Sequence, residues 1–378
     1  MIEAGSRDEL INELGLAHFI EHSLFKGTTK RRTYHILNRL DSVGGEINAY
    51  TSKEDTVVHC TFLNEHSERA IELIADISFN STFPEKEIQK EKEVIIDEIH
   101  SYMESPSEVI FDDFDELIYA GHPLGQPILG TEASVRKLER DDIFRFQSRR
   151  YHPEEMVFAF YGAIPPKKLL RICQKYLSNY SGKGSLCPRE TLPAYVAQEV
   201  NKKTNTQQAH AIIGSRAYSV EDDKKLPFLV LNNLLGGPAM NTLLNLNIRE
   251  KHGIAYNLES HFQSFSDTGI FQVYIGTDKG QLNKGIRLIH KELKYLRERK
   301  LGIRQLHSAK EQIKGHIALS NDGGVNVMLA LAKSIMLYGR IEELDVVLAQ
   351  IDALTAEDIL EVANEILSID NLSTLTFT

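Results

Sequence analysis

Five residues, His18-Phe19-Ile20-Glu21-His22, carry the clearest chemical signal in this sequence of 378 residues. On a helix, positions i and i+4 share a face and i+3 lies beside them. One metal ion could then touch both imidazoles while the Glu21 carboxylate reaches a water bound to it. The order reverses the commoner His-Glu-x-x-His zinc pattern. A surface helix with solvated histidines would show the same letters, so the rest of the chain has to supply the remaining ligand.

A catalytic zinc site takes three protein ligands and keeps one position open. Glu21 cannot easily serve as both ligand and base. The segment from Glu85 to Met103, opened by Pro84, reads as a helix crowded with acids. Ile88, Ile95, Ile99 and Tyr102 form its apolar stripe. Glu91 and Glu98 fall on or beside that stripe, whereas Glu93 and Asp97 point away. A carboxylate on a core-facing stripe is costly unless it is paired or metal-bound. Either glutamate fits that description.

Around these residues the pattern alternates helix and strand. Residues 9–26 read as the helix carrying the histidines. Helices are expected over 33–43, 67–79, 85–103, 107–120, 141–150 and 165–177, with strands over 47–51, 56–63 and 156–162. Residues 181–200, with Ser181-Gly182-Lys183-Gly184-Ser185, Pro188 and Pro193, read as a linker between an N-terminal domain (1–180) and a C-terminal domain (201–378). The second domain repeats the first weakly. Ile212-Ile213-Gly214-Ser215-Arg216 echoes Ile2-Glu3-Ala4-Gly5-Ser6-Arg7, and both are followed by helix, helix, strand, strand, long helix. In the second copy the position of the histidine motif holds Phe228-Leu229-Val230-Leu231-Asn232, so one metal site per chain is expected.

Composition sets outer limits. Hydrophobic residues make up 42% and charged residues 25%, as in an ordinary globular protein. A net charge of −10 argues against nucleic acid as the main partner. No apolar run approaches the ~20 residues needed to span a membrane. Three cysteines (Cys60, Cys173, Cys187) without a C-x-x-C pair suit a reducing compartment, and a cytoplasmic location is expected.

Several segments together resemble the pitrilysin/insulinase family of zinc metallopeptidases, in its short-subunit branch of processing-peptidase-like bacterial proteases. They are Ala4-Gly5-Ser6-Arg7-Asp8-Glu9, Gly15-Leu16-Ala17-His18-Phe19-Ile20-Glu21-His22 with Phe25-Lys26-Gly27-Thr28, Gly44-Gly45-Glu46-Ile47-Asn48-Ala49-Tyr50-Thr51, Glu91 to Ile99, and Ile248-Arg249-Glu250-Lys251-His252-Gly253-Ile254-Ala255-Tyr256. The resemblance implies an α+β fold of two similar domains, each a largely antiparallel sheet backed by helices, closing as a clamshell. It implies one Zn2+ per chain on His18, His22 and Glu98, the last lying 76 residues beyond His22. Glu91 would support the site, and Glu21 would be the general base. Arg249 and Tyr256 would approach the substrate carbonyl. Asn48, Ala49, Tyr50 and Thr51 would bind substrate backbone by strand addition.

The expected activity is zinc-dependent endopeptidase action on peptides or unfolded segments inside a closed chamber. The alternative is a non-catalytic peptide-binding or structural subunit of the same family. A homodimer, or a heterodimer with an inactive homologous subunit, is implied; nucleic acid and membrane are not expected partners. Two departures stand out. The family pattern places about two strands ahead of the Ala4–Glu9 segment, so a chain opening there has lost them or builds a short first sheet. The glycine-rich segment Gly236-Gly237-Pro238-Ala239-Met240-Asn241-Thr242 lacks the usual small serines before an arginine.

Overall fold

The computed structural model describes residues 1–182, 188–204, 206–320 and 322–378. Cys187 and the centre of the expected linker lie outside the described residues. In chain order the elements are α1 (Leu16–Ser23), α2 (Thr33–Asp41), β1 (Glu46–Thr51), β2 (Thr56–Thr61), α3 (Ser67–Phe79), α4 (Glu85–Met103), α5 (Pro106–Ile118), α6 (Glu132–Lys137), α7 (Arg140–Arg150) and α8 (Pro166–Leu177). They continue with β3 (Glu199–Lys202), β4 (Gln208–Ala217), α9 (Lys225–Gly236), β5 (Ala255–Ser264), β6 (Gly269–Asp278), α10 (Leu282–Glu298), α11 (Ile303–Ser320), α12 (Gly324–Tyr338), α13 (Leu344–Ala353), α14 (Ala356–Ile366) and β7 (Ser373–Phe377).

Two compact units result. The first comprises Met1–Tyr102, His122–Thr191 and Gly323–Ile341; the second comprises Met103–Gly121, Leu192–Asp322 and Glu342–Thr378. The chain is α+β, as expected, but the two sheets are not alike.

In the first unit β1 and β2 form a two-stranded antiparallel sheet, paired from Glu46–Thr61 to Thr51–Thr56. The polar turn Ser52–Asp55 closes it, with the Ser52 hydroxyl accepting from the Glu54 and Asp55 amides. The core is built from α1 (Leu16, Phe19, Ile20), α3 (Ala70, Leu73, Ile77), α4 (Ile88, Ile95, Ile96) and α7 (Ile143, Phe146). Residues 156–162 do not form the expected strand. Met1–Glu3 exchange main-chain hydrogen bonds with Glu155 and Val157 around a single Ile2–Met156 bridge, and among the described residues no ladder continues beyond Val157. Apolar sequence is not enough for a strand past that point, where no neighbour among the described residues takes its main-chain hydrogen bonds.

The second unit holds a five-stranded sheet in the order β3-β7-β4-β6-β5, in which β3 and β7 run parallel and the other pairs antiparallel. Gly269–Thr277 of β6 is buried throughout, the signature of a strand covered on both faces. Helices α5, α9 and α10 pack on this sheet, and α14 packs on α9 and α10. Ile213, Phe228, Leu231, Phe271, Val273, Ile289 and Val362 belong to its core.

The helix expected over 9–26 is a correction with consequences for the site. Only Leu16–Ser23 is helical. Gly15 stops the helix from starting earlier: its φ is +86°, and a Cβ there would lie 2.6 Å from the Leu129 carbonyl oxygen. A side chain at that position is excluded twice, by conformation and by space.

Candidate metal centre

Helix α1 presents its motif as the spacing requires. Leu16, Ala17, Phe19 and Ile20 are buried in the core. They fix the helix rotation, so that His18 and His22 emerge together with ring centroids 4.6 Å apart. Helix α4 supplies the carboxylates. His18 Nε2 lies 3.9 Å from one oxygen of Glu98, and His22 Nε2 lies 3.6 Å from the other. One ligand atom from each of the three residues lies within 4.8 Å of the others. A tetrahedral ion with bonds of ~2.1 Å has ligand–ligand edges of about 3.4 Å. The two imidazole–carboxylate approaches, each to a different Glu98 oxygen, lie within about half an ångström of that edge.

Glu91 and Glu98 differ in burial and in partners. The Glu91 side chain is 6% exposed and that of Glu98 is 44% exposed. Glu91 Oε1 sits 3.0 Å from His22 Nδ1, and its second oxygen pairs with the Lys26 ammonium at 2.7 Å. A proton on Nδ1, donated to Glu91, leaves the Nε2 lone pair facing Glu98, the tautomer a metal ligand needs. Glu98 stands at the rim of the apolar stripe, turned toward the imidazoles.

The electrostatics are consistent with this division. Burial, with His22 alongside, pushes the His18 imidazole down to about 4, so it stays neutral near pH 7. Burial also works to lower His22, but the hydrogen bond and charge of Glu91 and the charges of Glu98 and Glu21 outweigh it and raise its pKa. Burial would raise Glu91, yet its hydrogen bonds with His22 and Lys26 hold it below the ordinary carboxylate value.

Glu21 is different. Burial raises its carboxyl pKa, against the opposing pull of nearby Thr51 and of His22. Neither Glu21 Oε2 nor Thr51 Oγ1 makes a hydrogen bond of ordinary geometry, although both atoms are buried. A buried carboxylate oxygen without a donor is expensive. Here it lies on the same helix face as two imidazoles, where a water on a metal ion would satisfy it. The donor set, two imidazole nitrogens and a carboxylate, is one that suits zinc.

The remaining expected residues are placed as follows. Asn48–Thr51 belong to β1, which among the described residues pairs with β2 on one side only, leaving its other edge open. The Ala49 amide on this strand donates to Asn48 Oδ1 at 2.9 Å. Arg249 and Tyr256 belong to the second unit. Arg249 is exposed on a π-helical stretch, Asn245–Glu250. Tyr256 is exposed on β5, and its hydroxyl donates to Asp278 Oδ1 at 3.0 Å. Sequence reasoning missed Lys26, which balances Glu91, although its spacing of four from His22 was visible. It also missed Glu9, discussed below, by placing it inside the helix.

Among the described residues no helix is long and apolar enough to cross a membrane. The sequence profile described as "Insulinase (Peptidase family M16)" matches residues 1–132, and that of "Peptidase M16 inactive domain" matches residues 137–313. An uncharacterized zinc protease of Bacillus subtilis, YmxG, is 32% identical over 98% of this chain and 90% of its own length. The beta subunit of the mitochondrial-processing peptidase of Saccharomyces cerevisiae is 30% identical over 96% of this chain and 82% of its own. The fold is shared with a protease of Helicobacter pylori, at a TM-score of 0.87 and 19% identity over all of this chain and 92% of that one. A peptidase M16 inactive domain from Pseudomonas fluorescens superposes at a TM-score of 0.92 and 18% identity, over all of this chain and 90% of that one. The chain belongs to the insulinase family of peptidases, family M16.

Proposed function

We propose that the protein is a zinc-dependent endopeptidase acting on peptides or unfolded protein segments. His18, His22 and Glu98 would hold the ion. When bound, Zn2+ supplies Lewis-acid polarisation of the scissile carbonyl and acidifies a water. Glu21 would accept the proton of the attacking water and return it to the leaving amine. Its burial makes it a stronger base than an exposed glutamate, against the opposing pull of Thr51 and His22. Glu91 would hold His22 in the correct tautomer. The open edge of β1 would take the peptide as an added strand, and Arg249 and Tyr256 of the second unit would stabilise the oxyanion. The family resemblance extends the reading to a chamber closed over the peptide, and to a homodimer or a heterodimer with an inactive homologous subunit.

The observation that carries this reading is the convergence of three metal-type donors beside Glu21, one of whose carboxylate oxygens is buried without a hydrogen bond of ordinary geometry. The test is Glu21→Gln, assayed with a quenched fluorescent peptide library alongside zinc analysis. The expected outcome is a loss of turnover of about 10²–10⁴-fold, the usual worth of a general base, with zinc content unchanged. Full activity in this variant would remove Glu21 from the mechanism. One zinc per wild-type chain with no cleavage of any peptide would favour a non-catalytic binding subunit.

A further inference from the structure

The segment Gly5–Glu9 is polar and yet buried. Ser6, Arg7, Asp8 and Glu9 are each at most 5% exposed, which is rare for charged residues without a structural task. None of them belongs to the proposed chemistry. Their partners show what the segment joins.

At one end it is fastened to the β1–β2 turn. The Ser6 amide donates to the Ser52 carbonyl at 3.1 Å and the Arg7 amide to the Lys53 carbonyl at 2.7 Å. The Arg7 guanidinium pairs with Glu54 at 2.6 Å. The approach is so close that a Cβ on Gly5 would lie 2.5 Å from the Ser52 and Lys53 carbonyl oxygens. Asp8 adds a brace: one carboxylate oxygen meets Arg150 at 3.0 Å and Arg189 at 3.1 Å, and the other accepts the Gly5 amide at 3.0 Å.

At the other end stands Glu9. Its Oε2 accepts the Gly15 amide at 2.9 Å and its Oε1 the Ala17 amide at 2.7 Å. These are first-turn donors of α1, which the helix itself cannot satisfy. The ordinary cap comes from the residue just before the helix. Here that residue is Gly15, which has no side chain, and Glu9 reaches in from six residues upstream. Ala17 directly precedes the ligand His18. The other end of the segment reaches the turn that follows Thr51, the last residue of the open-edged strand.

We infer that Glu9 is a positioning residue: its carboxylate caps the metal-binding helix, and the Gly5–Glu9 bracket holds that helix in register with strand β1. The inference rests on the proposed zinc site, because its purpose is to set the distance between ligands and bound peptide. It differs from a generic packing role in where its loss would be felt.

The test compares Glu9→Gln with Glu13→Gln in the full chain. Glu13 is equally buried and lies on the same connection, but its carboxylate accepts the Leu10 amide and pairs with Arg149, leaving α1 uncapped by it. Two readouts apply: hydrogen exchange of the Ala17 and His18 amides, and the visible spectrum of the Co2+-substituted protein at full occupancy. Glu9→Gln should speed exchange at these amides at least tenfold and change the cobalt band intensities, while Glu13→Gln lowers thermal stability and leaves both readouts as in wild type. Should Glu9→Gln fail to fold, Glu9→Asp, which keeps the charge but falls a methylene short, takes its place. Wild-type exchange and an unchanged spectrum in the Glu9 variant would overturn the inference, even if its melting temperature fell. If the wild-type chain takes up no Co2+, the metal reading fails while the exchange measurement still decides the role of Glu9.

Discussion

Helices α1 and α9 occupy equivalent places in the two units, and they are built on opposite principles. Each follows a Gly-Ser-Arg segment. Each precedes a second short helical stretch, an antiparallel strand pair and a long helix: α2, β1, β2 and α3 in one case, Asn245–Glu250, β5, β6 and α10 in the other. In α9 the inward positions are Phe228, Val230, Leu231 and Leu235; its buried Asn232 donates its side-chain amide to the Ser260 carbonyl, and its backbone carbonyl accepts from the Ser260 hydroxyl. In α1 the buried set includes His18, and charged side chains at Glu9, Glu13 and Glu91 lie buried nearby. The first unit buries ionisable groups around this helix; those buried in the second unit, His210 on β4 and Glu292 on α10, lie on other elements than α9. Stability alone does not favour that choice, because a well-packed apolar set of similar volume does at least as well. The sheets differ in the same sense. The second unit pairs β5 and β6 into five strands, whereas in the first, among the described residues, β1 has one partner.

This contrast can be broken at several points. The largest effect should come from Phe228→Ala, which removes a ring from the centre of the second core. A loss of about 3–5 kcal/mol is expected by chemical denaturation, with zinc content per folded chain unchanged. If zinc were lost in step, the two units would not divide the work as described. Glu91→Gln should do the reverse. It should weaken zinc binding by about 10–100-fold in competition with a chelator and barely change the core. Unaltered affinity would detach Glu91 from His22. The smallest effect should come from Ala49→Pro on β1. The Ala49 amide already bonds to the Asn48 side chain, so proline removes an open-edge donor. A several-fold rise in KM with kcat held is expected for a peptide that binds as an added strand. An unchanged KM would move the substrate elsewhere.

Much of this arrangement was visible in the sequence, and the losses have definite causes. Helix α4 could be read to its ends because Pro84 opens it and the period of Ile88, Ile95 and Ile99 is unbroken. The same phase singled out Glu91 and Glu98. It could not separate their surroundings, since both lie near the stripe and only the three-dimensional position of His22 shows that Glu91 meets its Nδ1 and Glu98 its Nε2. The start of α1 was misread because Glu9 to Leu14 keeps a helix-like spacing of apolar residues. Gly15 was a sign of a break, and the close approach of Leu129 that leaves no room for a side chain there is long-range. The strand expected at 156–162 failed for a related reason: a strand is defined by its neighbour, and no local pattern reports whether one is present. Lys26 and Glu9 were missed because ordinary surface roles were available for a lysine and a glutamate, and burial is not written in either letter.

The central claim is that the first unit alone binds the metal, through the His18–His22 pair. Native mass spectrometry of the zinc-reconstituted wild type, His22→Ala and Asn232→Ala chains tests it most directly. The account predicts one zinc in the wild type, none in His22→Ala, and one in Asn232→Ala, the matching helix position of the second unit. Equal zinc in the wild type and His22→Ala would contradict it.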